Sequence, residues 1–319
     1  MYQNERALYL TGKKAKAYKV KSVAINIGIY AFLVLIAIFI ILPFYWMFAT
    51  ALRTTEEINS AKVSFFPKHW QFRNFIDTVS YAKGTYELAG LPVKPAMGAV
   101  SLGRVFFNTI LVGFLTTSFA MISTTLSAFA FARLNFKLKN VLFTILLGTM
   151  MVPGEIFILT NYSTITSLHL RNHYTALLLP FIVSVFYIYF LRQTFKQIPN
   201  ELYFASKIDG CGDFKYLFKV MIPLGKATMT TVFILSMMGT WNAYIWPDLV
   251  ANDPNMLLVS NALIRVFRPM TGEIAQNGLK DPLHFRMAMS MLVTIPLLIV
   301  FITLRKYIMR GVTRGGTKG

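Results

Sequence analysis

Residues 22–52 read SVAINIGIYAFLVLIAIFIILPFYWMFATAL and contain no charged side chain. An α-helix rises about 1.5 Å per residue, so roughly 20 such residues cross the hydrocarbon core of a bilayer. The run is long enough for one tilted spanning helix, and Pro43 is expected to break or kink it. It is too long for the apolar core of a signal peptide and has no small-residue exit, so it is expected to remain as the first span. Further uncharged runs lie at 105–132, 172–191 and 227–247. The run 140–165 is interrupted only by Glu155, and 287–304 contains Pro296. Six spans follow, which makes the fold an all-α membrane protein.

Composition agrees with this reading. Of 319 residues, 55% are hydrophobic and 14% charged, where soluble domains carry about 25%; mean hydropathy is +0.54. The net charge of +19 could suit nucleic acid, but the basic residues cluster between the apolar runs, where they set topology. With the N-terminus inside, segments 1–21, 133–139, 192–226 and 305–319 hold 20 of the 32 Lys and Arg residues. The longer outside segments hold 12. Both termini are therefore expected in the cytoplasm. The single Cys211 forms no internal disulfide, and His69, His169, His173 and His284 lie at or beyond the ends of the apolar runs.

Three parts result: a basic segment 1–21, a six-span domain 22–304, and a basic tail 305–319. The outside loops 53–104 and 248–286 are long, and long loops are uncommon unless they have work to do. The cytoplasmic loop 193–226 is the informative one. Its stretch from Ile198 to Leu224, IPNELYFASKIDGCGDFKYLFKVMIPL, reads as two short helices around a glycine joint. Pro199 suits a first turn, and Leu202, Ala205 and Ile208 recur at helical spacing. Gly210 can end the first helix in a left-handed conformation, and Asp213 is a natural N-cap for the second. Phe214, Leu217, Phe218 and Met221 form the second apolar stripe, and Pro223 is expected to stop that helix before the next span. These apolar faces have no evident partner in the short, basic cytoplasmic segments. Such faces must bury against the rest of the chain, at the lipid interface or in the groove of another protein.

The run Pro199, Glu201-Leu202, Ala205-Ser206-Lys207-Ile208-Asp209-Gly210, Phe218, Ile222-Pro223-Leu224 resembles the EAA loop of binding-protein-dependent ABC importer permeases. Phe204 stands where that motif has a glutamate, and Ser206 replaces its second alanine. Trp241-Asn242-Ala243-Tyr244-Ile245-Trp246-Pro247 is similar to a fifth-span segment of the carbohydrate-uptake branch, the maltose-type second permease. The tail from Lys306 to Gly319 resembles that branch's closing motif. The loop from Arg265 to His284 is longer than usual in that family.

The resemblance implies a type I ABC importer permease, multi-pass in the inner membrane of a bacterial or archaeal cell, translocating a sugar or oligosaccharide. It implies a homologous second permease, two ABC ATPase subunits, an extracytoplasmic solute-binding protein and membrane lipid as partners, and no nucleic acid. Glu201, Leu202, Ala205, Ser206, Asp209, Gly210 and Phe218 would couple to the ATPase. Trp241, Asn242, Tyr244 and Trp246 would lie along the solute route, although the three aromatics suit an interfacial belt as well. No G-x-x-x-x-G-K-[ST] loop is present, so the chain is expected to be no enzyme and to bind no cofactor; ATP and Mg would sit on the partner ATPases. Asp209, Cys211 and Asp213 lack the rest of a calcium loop, and there is no H-E-x-x-H motif. A secondary transporter would want ion-coupling acids and repeat symmetry, and an intramembrane enzyme would want a nucleophile–base or paired-acid constellation. Neither pattern is visible. Glu155 and Asp248 stand at or near span ends, as polar anchors or route residues.

Overall fold

The computed structural model describes residues 13–60, 64–88, 91–93, 95 and 98–267, together with 283–313. Most of the 248–286 loop beyond Phe267 and the end of the tail motif lie outside the described residues, as does the basic segment before Lys13.

Helix α1 (Lys13–Ala51) runs unbroken through Pro43. In a bilayer the few freed backbone groups at a proline can be satisfied locally, so a proline need not end a spanning helix. Short α2 (Thr55–Asn59), α3 (Asn74–Ala82) and a small antiparallel pair, β1 (Tyr86–Leu88) with β2 (Leu91–Val93), fill the first outside loop. Then α4 (Leu102–Arg133) forms the second span. The third is bent by 77° between α5 (Lys139–Thr149) and α6 (Gly154–Ser167). The fourth is bent by 49° between α7 (Tyr174–Phe181) and α8 (Val185–Gln197). After the cytoplasmic helix α9 (Asn200–Ile208) comes α10 (Asp213–Asn242), the fifth span. Short α11 (Ile245–Val250) and α12 (Val259–Val266) precede α13 (Leu283–Thr313), the sixth. Four helices are long and apolar enough to cross a membrane alone, and the two bent pairs bring the number to six.

Three apolar clusters hold the bundle. Near the outer end, Tyr81, Phe267, Phe285 and Trp241 pack together with Leu257 and Met289. A second cluster gathers Trp246, Ala176, Val250 and Leu258 around Val112. The third lies at the cytoplasmic end and joins Phe195, Tyr216, Leu217 and Met221 to Phe129 and Leu191.

The first half of the second outside loop is no open loop. Leu257, Val259, Ala262 and Phe267 are fully buried, and polar side chains of α4 hold the segment in place. Asn108 donates to the carbonyls of Asn255 (2.8 Å) and Leu257 (3.2 Å), and Thr109 accepts from the Val259 amide at 2.9 Å. An amide inside an apolar helix must find such partners, because an unpaired buried polar group costs about 1–3 kcal/mol. The first outside loop is tied down similarly. Asn74 donates to the carbonyls of Ala51 and Arg53, and Glu57 caps the amides of Lys68 and His69.

Candidate functional site

At the cytoplasmic face, α9 ends in a complete left-handed cap. Gly210 has φ +70°. Its amide donates to the Lys207 carbonyl (3.0 Å), and the Cys211 amide donates to Ser206 (2.8 Å). This pair of bonds is the Schellman arrangement, which favours glycine at the left-handed position because it has no Cβ. The expected N-cap moves by one residue: Gly212 caps the next helix, and Asp213 is its first helical residue. The Asp213 carboxylate instead bridges the joint. It lies 2.7 Å from the Lys207 ammonium and accepts from the Tyr203 hydroxyl at 2.8 Å. Lys207 first, and Tyr203 second, hold the Asp213 carboxyl below its ordinary range. Hydrogen bonding to Asp213 raises Lys207.

The second helix does not stop at Pro223. It passes through a widened π-helical turn, Leu217–Met221, and continues to Asn242. Proline has no N–H, and its ring crowds the carbonyl four residues back; widening the turn just upstream makes room for it. The expectation that both apolar faces lack a partner in the cytoplasmic segments leaves out the span ends, which cover half of the second helix. Tyr216, Leu217 and Met221 are fully buried against Phe129, Leu191 and Phe195. Phe204, Ile208, Phe214 and Phe218 remain exposed, Ile208 at 87%. Glu201, Leu202, Ala205, Asp209 and Gly210 are also exposed, and Ser206 is partly covered. The joint is thus rooted on one side and open on the other.

Two arginines, expected from the sequence only as topological charges, fix this root. Arg133, the last residue of α4, donates to the Phe195 carbonyl at 2.8 Å, to the Ile198 carbonyl and to the Asn200 side chain. In the opposite direction, Arg192 of α8 donates to the Phe131 carbonyl at 3.1 Å, with its guanidinium 3.7 Å from the Phe143 ring centroid. The clasp is reciprocal. Helix C-terminal carbonyls lack intrahelical partners, so these side chains complete both helix ends while tying them together. Close packing adds to the clasp: a Cβ at Gly225 would sit 2.8 Å from Phe195.

The fifth-span motif is divided between two clusters. Trp241 is 9% exposed against Phe106 and the outer cluster, and its indole N–H has no partner among the described residues. Trp246 is buried in the second cluster, donating to the Ala176 carbonyl at 2.9 Å. Asn242 is exposed and donates back to Met238 at 2.9 Å, and Tyr244 is partly covered at the α10–α11 break. Asp248 is a polar anchor, bridged to Arg265. Glu155 is exposed at the α5–α6 bend. Among the described residues no group of three His, Cys, Asp or Glu side chains could hold a metal ion.

Beside Trp246 lies a cavity of about 290 Å³ between α4, the α7–α8 break and the end of α10. Thr116, Ser184, Tyr187, Ser236 and Thr240 are the hydroxyl-bearing residues of its wall. Nothing in the sequence marked these residues. They are scattered over three apolar runs and converge only in the folded bundle, beside the break between α7 and α8.

Residues 123–314 match the family described as binding-protein-dependent transport system inner membrane component. The chain is 30% identical over 214 residues to the arabinooligosaccharides transport system permease protein AraQ of Bacillus subtilis, covering 67% of this chain and 73% of that one. It is 28% identical over 279 residues to the sn-glycerol-3-phosphate transport system permease protein UgpE of Brucella abortus, covering 88% and 93%. The fold is similar to a chain of a bacterial ABC transporter involved in the import of the acidic polysaccharide alginate. The TM-score is 0.68 at 19% identity, over 93% of this chain and 99% of that one.

Proposed function

Because the chain belongs to the family of binding-protein-dependent transport system inner membrane components, we propose that it imports a sugar or oligosaccharide as one of two permeases driven by a separate pair of ATPases. It is a multi-pass inner-membrane transport subunit with the type I importer permease fold. The carbohydrate assignment is supported by the fifth-span and tail resemblances and by the arabinooligosaccharide relative.

The observation that carries the proposal is the half-rooted joint. Tyr216, Leu217 and Met221 anchor it inside the chain, while Phe204, Ile208, Phe214 and Phe218 stand exposed around the Gly210 cap. Burying each such side chain is worth about 1.5–3 kcal/mol, enough for four of them to hold a partner groove. ATP and Mg bind on those partner ATPases; ATP draws them together, and α9 transmits the motion. A loaded binding protein outside favours the same state, so the two sites are linked. Asn242 and Tyr244 are the members of the fifth-span motif with uncovered surface, and Trp246 borders the cavity, so these three are the residues best placed along the solute route, while Trp241 is buried in the outer cluster.

Purification in mild detergent tests the reading. The chain should bring an ATPase and a second permease with it, and loaded binding protein should stimulate hydrolysis. A chain that purifies alone and drives uptake from an ion gradient would be a secondary transporter.

A further inference from the structure

We propose that the cavity between α4, the α7–α8 break and the α10–α11 break is a solute subsite that takes one neutral sugar ring. The inference rests on the importer reading and narrows its substrate class. At about 290 Å³ the space lies near the lower end of ordinary small-molecule sites, roughly 300–1,000 Å³. It sits in the outer halves of three spans, where solute would arrive from a binding protein.

The chemistry of its wall selects the occupant. Five hydroxyl-bearing side chains line it, and among the described residues no carboxylate, ammonium, guanidinium or imidazole does. The Thr116 side chain is 4% exposed, and its hydroxyl oxygen is sealed from the cavity, with no partner among the described residues. Ser184 accepts from the Tyr187 amide, Ser236 accepts from Thr117 and Thr240 donates to the Ser236 carbonyl, so each keeps one further donor or acceptor position. Aromatic surface completes the wall. The Trp246 N–H is already bonded to Ala176, and Phe181 meets its ring edge-on at 6.1 Å between centroids, so Trp246 offers ring rather than N–H.

The two helix interruptions carry the same message. Irregular backbone at membrane depth persists only where protein covers it or where it lines a cavity, and discontinuous spans build transporter binding sites for that reason. Val183, Ser184 and Ala243, at the two interruptions, all line this space. A lipid acyl chain would offer nothing to the Tyr187 hydroxyl or to the remaining hydrogen-bonding positions of Ser184, Ser236 and Thr240. A phosphate or uronate carboxylate would lose its hydration with no cation to replace it. A neutral glycosyl ring fits both parts of the wall, with hydroxyls for the hydroxyl side chains and a C–H face for the aromatics.

The experiment uses the assembled transporter with Cys211→Ala as background and Ser184→Cys as reporter. Labelling by methyl methanethiosulfonate is timed with D-galactose, L-arabinose, D-galacturonate or inorganic phosphate present. At least one neutral sugar should slow labelling, and galacturonate and phosphate should not. Thr240→Val and Tyr187→Phe, which keep volume but lose a hydroxyl, should each raise the protecting sugar concentration about tenfold, equivalent to ~1.4 kcal/mol of affinity. A cysteine at 184 that never reacts, protection by no neutral sugar, equal protection by galacturonate, or unaltered protection in both hydroxyl variants overturns the subsite. Co-purification of the ATPase is scored on the same samples, so loss of the subsite with the ATPase still bound leaves the importer reading standing.

Discussion

Gly210 holds φ +70°, and a Cβ built there would meet nothing within 4 Å. Any penalty at this position is therefore backbone strain rather than a clash. Left-handed geometry costs most residues about 1–2 kcal/mol, with asparagine more tolerant and β-branched residues least so. Transport should fall in the order Gly210, Gly210→Asn, Gly210→Ala, Gly210→Val, and receptor-stimulated ATP hydrolysis should fall in parallel while the membrane amount of protein holds. Equal uptake across the series would reduce the joint to a connector. Gly210 could be recognised from sequence because a cap glycine leaves a local signature. The role of Asp213 could not, since its partners Lys207 and Tyr203 meet it only once the joint is closed. That bridge also has a defined pH window. The depressed carboxyl of Asp213 contributes above roughly pH 4 and is lost as pH falls through its folded pKa. The raised ammonium of Lys207 contributes below roughly pH 10 and is lost above. Asp213→Asn should accordingly change the level of stimulated hydrolysis but not the shape of its profile between about pH 5.5 and 8.5; profiles that diverge in that range would remove the bridge from coupling. At Asn242, whose amide bonds only its own helix at Met238, Asn242→Leu should reduce uptake without loss of assembly. Unchanged uptake would take the residue off the solute route.

The start of α10 presents two faces with different duties. Leu217 is fully buried and Phe218 is 62% exposed, one residue apart. Leu217→Ala should destabilise the cytoplasmic end by about 2–5 kcal/mol, read as lost protein in a detergent thermal-aggregation assay. Phe218→Ser should leave that midpoint nearly unchanged and lower ATPase co-purification. The reverse pattern would mean that the anchored and docking faces have been assigned the wrong way round. Hydropathy located all six spans because length and the absence of charge are properties of a run. It passed over the 49° and 77° bends, because a broken span sums to the same hydropathy as a straight one. It gave no sign that the first part of the outside loop 248–286 packs into the bundle, since Asn108 and Thr109, which hold that segment, sit far away in sequence.

For the whole molecule, the excess of Lys and Arg in segments 1–21, 133–139, 192–226 and 305–319 predicts both ends of the chain in the cytoplasm. With Cys211 replaced, Gly12→Cys and Gly316→Cys should resist an impermeant thiol reagent in intact cells and react after permeabilisation. Labelling of either from outside would invert the topology. The uncovered surface of α1 follows from the same organisation. In its most apolar window no residue is buried by this chain, so lipid or a second subunit must cover it.

The reciprocal arginine clasp has a mechanical consequence. Helix α8 has 13 residues, a rod about 20 Å long, pinned to α4 at one end and interrupted at the other. A thrust delivered at Asn200 has no slack to take up between α4 and α8, because Arg133 and Arg192 lock both rods at that end. The compliant point is the break at residues 182–184, which forms part of the cavity wall. The clasp thus works as the fixed grip of a crank, and its pivot lies where the hydroxyl-lined space would open or shut.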